Sequence, residues 1–230
     1  MSDHIVRSFD EELGQITAEV ARMGGLAEAQ IMEALDCVVR RDVRQAGEVA
    51  SRDATLDAME LDIERKAIRL IALRQPMAND LRHAIAALKI ASNLERCGDL
   101  AKNIAKRSLV LAGLDAATPL SRSIDRLGRL VAARLKDVLD AYTASDVERA
   151  VAVWRRDDEI DSHYDSLFRE LLTYMMGDPK MITPGAHLLF IAKNLERIGD
   201  HATNIAEIIH YELTGEDIGA ERPKMDTISP

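Results

Sequence analysis

The residues of this 230-residue chain best suited to chemistry are carboxylates at four-residue spacing, written in two matched sets. Glu95/Asp99 and Glu196/Asp200 form one kind of pair, Asp53/Asp57 and Asp157/Asp161 the other. On an α-helix, residues four apart share a face, and like charges there cost about 0.2–0.5 kcal/mol per pair. Hard oxygen donors at such density suit a cation, and carboxylate-only sites favour Mg²⁺, Mn²⁺, Ca²⁺ or iron over Zn²⁺. Glu60 and Glu64 could extend the first set, and Asp165 the second. The same residues also read as a solvated acidic helix face with no ion bound.

Helices must position these groups. Ile5, Phe9, Leu13, Ile16, Val20, Met23, Ala27, Ile31, Ala34 and Val38 step by three or four residues, which predicts one long amphipathic helix. Gly24-Gly25 interrupts it and predicts a bend. A second apolar run, Leu56 to Leu73, stops at Pro76, and a third spans about Asp80 to Leu111 with Gly113 as C-cap. Thr118-Pro119 opens a fourth, which carries Ile124, Leu127, Val131, Leu135 and Val138. Ser145 and Glu148 form a capping box for a fifth that ends at Gly177-Asp178-Pro179. The sixth runs from Leu188 to Ile209, and a polar tail begins near Gly215. No stretch alternates with period two, so the chain reads as six helices and no strands, an all-α fold.

Those six helices are three written twice. Residues 90–105 and 191–206 match at 12 of 16 positions, offset 101, and an upstream block matches at offset 104, including Asp53/Asp157 and Asp57/Asp161. The expected organisation is a first three-helix repeat at 1–115, a second at 116–215 and a tail at 216–230, each repeat with its own small core. Folding each hairpin at the midpoint of its sequence, Pro76 and Asp178-Pro179, sets Asp57 level with Glu95 and Asp53 with Asp99. The same construction sets Asp161 level with Glu196 and Asp157 with Asp200, so four carboxylates are expected on each hairpin face.

Composition removes other functions. A net charge of −9 argues against a surface for nucleic-acid phosphates, and eight aromatic residues are too few for a base-stacking platform. Cys37 and Cys97 make no scaffold, no apolar run is long enough for a membrane span, and no signal-peptide core is seen, so a cytoplasmic protein is expected. There is no GxxxxGK[ST] loop. A carboxylate-bridged di-iron enzyme would need a Glu-x-x-His from each of two helices. Glu207 and His210 supply one, but Lys106 and Leu109 stand at the matching places. His201 is either an extra ligand or a packing residue, and Arg96 and Arg197 either neutralise the carboxylates or lie free at the surface. Gly98 and Gly199 predict close helix approach, and Cys97 a small core residue. A metal-free helical scaffold is the third reading.

The doubled LERCGDLAKNIA and LERIGDHATNIA blocks, the QPMANDLR turn and the YMMGDP turn resemble the PhoU family over about residues 5–217. That resemblance implies two pseudo-symmetric three-helix bundles with metal bound by acidic E(D)xxxD motifs. Those motifs fall here on Glu95, Asp99, Glu196 and Asp200, and in the second helices on Asp53, Asp57, Asp157 and Asp161. It implies a regulator rather than an enzyme, one that links a phosphate ABC transporter and its ATPase to a sensor histidine kinase and silences phosphate-starvation genes. A homodimer with bound Mg, Mn or Fe fits the same picture. Lys106, standing where the second repeat has Glu207, departs from strict duplication and predicts unequal sites.

Overall fold

The computed structural model describes residues 2–51, 53–114 and 121–219, with side chains from Phe9 onward apart from that of Asp53. Eight α-helices follow one another: α1 Ser2–Arg40, α2 Val43–Ser51, α3 Asp53–Arg74, α4 Asn79–Ala112, α5 Ser121–Ala144, α6 Val147–Trp154, α7 Asp157–Gly177 and α8 Ile182–Thr214. A 3₁₀ turn, Pro179–Met181, joins α7 to α8, and no strand occurs among the described residues. Thr118-Pro119, the boundary at 115/116 and the tail from residue 220 lie outside the described residues.

The expected three-helix unit is present twice, and in the second repeat its second helix is broken into a short and a long piece. In the second repeat the break falls at Arg155-Arg156. It is held by Arg134 of α5, which donates to the carbonyls of Val153 (3.3 Å) and Arg156 (2.6 Å) and to Glu159 (2.7 Å). The Val153 and Arg156 carbonyls also accept 3.2 Å bonds from the Arg156 and Glu159 amides, so the guanidinium adds a second donor to each. The cap of α6 is Asp146 rather than Ser145, accepting from the Arg149 amide at 2.9 Å, while Ser145 takes a left-handed φ of 51°. The first repeat does the same one offset earlier: Arg41 has φ 56° and Asp42 accepts from the Gln45 amide at 2.9 Å.

The two units share a core. Buried residues from both repeats form one hydrophobic cluster, not the two small cores the duplication led us to expect. The reason is that α4 and α8 are each apolar enough to face their own hairpin and one another. They run antiparallel: Arg82 donates to the Glu212 carbonyl, Asn93 bonds His201 at 2.8 Å, and Arg107 lies 3.4 Å from His187. His83 adds a tie, bonded to Glu212 at 2.5 Å and to Thr17 at 2.8 Å. α1 and α5 cross on the same side, and α1 continues through Gly24-Gly25 without interruption. Gly24 is a packing notch: a Cβ there would sit 2.6 Å from Leu139, and its repeat mate Gly128 faces Leu35 at 2.6 Å.

Candidate metal-binding faces

Register decides which carboxylates meet. Gly98 and Gly199, the helix-interior glycines, receive the side chains of Leu56 and Ile160. The close approach inferred for them is therefore observed. These contacts set position 56 level with 98, two residues or about half a turn from the levels given by the midpoint construction, so Asp57 lies between the levels of Glu95 and Asp99 and Glu60 lies near that of Glu95. The correction comes from the turns. The chain passes through Gln75 (φ 48°) and Ala78 (φ 48°) before α4, and through a 3₁₀ turn before α8, so neither hairpin folds at its sequence midpoint.

In the first repeat Glu95 is mostly buried, 14% exposed. Burial first, then Asp99, Glu60 and Asp57, push its carboxyl above the ordinary range, with Arg96 opposing. Arg96 stands 3.5 Å from Glu95, and Lys102 stands 3.5 Å from Asp99. A shallow groove of about 280 Å³ lined by Glu60, Leu61, Glu64, Leu88 and Ser92 opens beside them. This donor set, all hard oxygen, fits a divalent ion. The side chain of Asp53 lies outside those described.

The second repeat is different. Glu196, 12% exposed, is pushed up by burial and Asp200 but receives the Lys193 ammonium at 2.7 Å. Asp157 is buried and its Oδ1 accepts from Thr203 at 2.6 Å, which draws it away from the level of Asp200 where it was expected. Asp161 and Asp200 each remain half-buried on α7 and α8. As the side chains stand, no group of three or more His, Cys, Asp or Glu among the described residues is close enough to chelate an ion. Binding in either repeat therefore requires carboxylate rotamers to close inward.

Glu95 gives a pH prediction. A carboxyl whose folded pKa is raised costs stability once ionised, and that cost grows as pH rises from the ordinary carboxylate range through the raised value. Glu95→Gln is thus expected to raise the melting temperature of metal-free protein at neutral pH and to flatten its acid-side pH dependence. Thermal melts in chelator across that range check it; a lower melting temperature at neutral pH would refute the electrostatic account.

Other candidates are engaged structurally. His201 bonds Asn93 across the α4–α8 contact, and Cys97 is a buried core thiol pushed up to about 12 by burial. Glu207 accepts from the Trp154 indole at 3.0 Å, and His210 bonds the Glu216 carbonyl at 2.9 Å, beyond the C-terminus of α8. The Glu-x-x-His pair is thus split between two local tasks. A groove of about 600 Å³, with Arg82, Lys89, Glu207 and Tyr211 in its lining, lies along α4 and α8 apart from the carboxylate faces.

The two pseudo-symmetric repeats agree with a family model described as PhoU domain, which matches residues 20–108 and 124–209. The chain belongs to the PhoU family. A PhoU homolog from Caulobacter vibrioides, named a phosphate-specific transport system accessory protein, is 62% identical over 229 residues, 100% of both chains. The crystal structure of PhoU from Pseudomonas aeruginosa superposes with a TM-score of 0.87 at 35% identity, covering 90% of this chain and 100% of that one. The phosphate transport system regulatory protein PhoU from Streptococcus pneumoniae gives 0.85 at 30% identity, with 92% of this chain and 100% of that one covered. The all-α PhoU architecture expected from the doubled blocks is therefore established. Among the described residues, no helix of this PhoU-family chain is long and apolar enough to cross a membrane.

Proposed function

We propose that this chain is a regulatory adaptor of phosphate homeostasis, a negative regulator of the phosphate-starvation response. It works in the cytoplasm, where it links the phosphate ABC transporter, through the transporter ATPase, to its sensor histidine kinase. The observation that carries this reading is similarity over the whole chain to proteins named as accessory or regulatory components of phosphate transport. The helical faces support it, because an adaptor of this kind binds through broad rigid surfaces rather than through a catalytic cleft. Specificity for each partner then comes from charged rims, which govern partner choice and association rate more than buried area does. The protein is not an enzyme in this reading and acts as a homodimer.

Metal completes the proposal. Asp57, Glu60, Glu95 and Asp99 hold Mg, Mn or Fe on the α3–α4 face, where the ion relieves the mutual repulsion of the carboxylates. Deleting the gene is expected to leave starvation genes active in phosphate-rich medium, and purified protein is expected to bind the kinase sensor region or the transporter ATPase. Normal repression in the deletion strain, together with no binding to either partner, would overturn the proposal.

A further inference from the structure

We infer that the second repeat carries its own cation, the Lys193 ammonium, where the first repeat presents a metal-binding face, so that the chain binds metal in one repeat only. The inference rests on the metal reading above and concerns which residues decide occupancy. Its basis is a comparison of equivalent positions. At the offsets of the duplication, Tyr164 replaces Glu60, Phe168 replaces Glu64 and Lys193 replaces Ser92. Two carboxylates have become aromatic rings and a serine has become a cation.

Two contacts make the replacement act as a unit. The Lys193 ammonium lies 2.7 Å from Glu196 Oε1 and 5.3 Å from the centroid of the Tyr164 ring. A groove of about 280 Å³ lies at the same place in both repeats. In the first its polar lining is Glu60, Glu64 and Ser92; in the second, Tyr164, Phe190 and Lys193 replace that acidic lining. A divalent ion drawn to Glu196 would meet an ammonium already bonded to it and, where the first repeat offers Glu60 and Glu64, aromatic rings. The first repeat has cations too, but Arg96 and Lys102 stand off at 3.5 Å from Glu95 and Asp99. Neither occupies the groove.

One atom makes the inference testable in both directions. Glu196 Oε2 is buried without a hydrogen-bond partner among the described contacts, so it is the donor a metal would claim once the lysine is withdrawn. The experiment is equilibrium dialysis of the full chain, stripped with chelator, against Mn²⁺, with ions counted by elemental analysis and helicity checked by circular dichroism. Wild type is expected to bind one ion per chain. The double variant Tyr164→Glu, Lys193→Ser is expected to bind two, and the reciprocal variant Glu60→Tyr, Ser92→Lys none. Lys193→Gln, which removes the charge and keeps most of the side chain, serves if the double variant fails to fold, and it too is expected to gain an ion. Two ions in wild type, or no gain in any folded Lys193 variant, would overturn the inference. An empty wild type with one ion in the double variant would uphold Lys193 as the excluding residue and refute metal binding by the first repeat. One ion in both proteins would do the reverse.

Discussion

Arg134→Ala is expected to lower the unfolding free energy by about 3 kcal/mol. The guanidinium is 1% exposed, and its donors reach the Val153 and Arg156 carbonyls and the Glu159 carboxylate. Loss of those bonds removes about 1 kcal/mol each, and the vacated stem adds a cavity whose walls relax only in part. Glu159 is 38% exposed and keeps its 3.0 Å pairing with Arg156, so its charge adds little to the loss. At roughly 2–4 °C per kcal/mol for a chain of this length, the melting temperature falls by about 6–12 °C. Arg134→Lys should recover only part of the loss, because one ammonium cannot reproduce the fork that spans two carbonyls and a carboxylate. Gln30, the equivalent residue of the first repeat, is buried with its Nε2 unbonded among the described contacts. Gln30→Ala should therefore cost less. Equal losses at the two positions would show that Arg134 acts through packing alone.

The fold was legible because its signals are local or repeated. Helical periodicity marks every long helix, and the matched blocks at 90–105 and 191–206 identify α4 and α8 as the shared spine. What escaped the sequence depends on contacts between distant residues. The break before α7 is held by Arg134, more than twenty residues upstream, and nothing local at Arg155-Arg156 announces it. The register of each hairpin depends on how many residues the turn consumes, and left-handed Gln75 and Ala78 are not predictable as such. That turn's length moved Asp57 about half a turn, to a level between Glu95 and Asp99, and brought Glu60 near the level of Glu95, while Thr203 claimed Asp157. The asymmetry between the two faces is readable in the sequence. Lys106 and Glu207 differ in charge, yet Glu207 serves Trp154 and lies off the carboxylate face. The informative differences are Ser92/Lys193 and Glu60/Tyr164, visible in the same internal alignment once its mismatches are weighed with its identities.

Gly199→Val is expected to cost about 2–3 kcal/mol, at the upper end of what inserted methyl groups cost in a packed core. A Cβ at Gly199 would lie 2.7 Å from Ile160 Cδ1 and 3.2 Å from its Cγ2. Ile160 is β-branched, so rotating χ1 to clear one contact brings the other carbon forward. Relief then requires α7 to move away from α8, which stretches the 2.6 Å Asp157–Thr203 bond one turn away. The gain in helix propensity on replacing glycine, a few tenths of a kcal/mol for valine, offsets little of this. Gly98→Val presents the opposite case. Its nearest obstacle is a terminal methyl of Leu56, with Cγ at 3.6 Å and the Gln30 carbonyl oxygen at 3.5 Å. Leu56 can swing its Cδ1 aside by rotation about χ2, so the expected loss there is about 1 kcal/mol. Urea unfolding of the two variants separates them: the midpoint should fall further for Gly199→Val, with the slope m unchanged in both. The same displacement of α7 would carry Tyr164 away from Lys193, loosening the cation that neutralises Glu196. Gly199→Val protein is therefore expected to show weakened Lys193–Glu196 pairing as well as lost stability, whereas Gly98→Val leaves that pair intact. If both variants lose the same free energy, the α7–α8 contact is no stiffer than its counterpart, and the rigidity assigned to Ile160 is wrong.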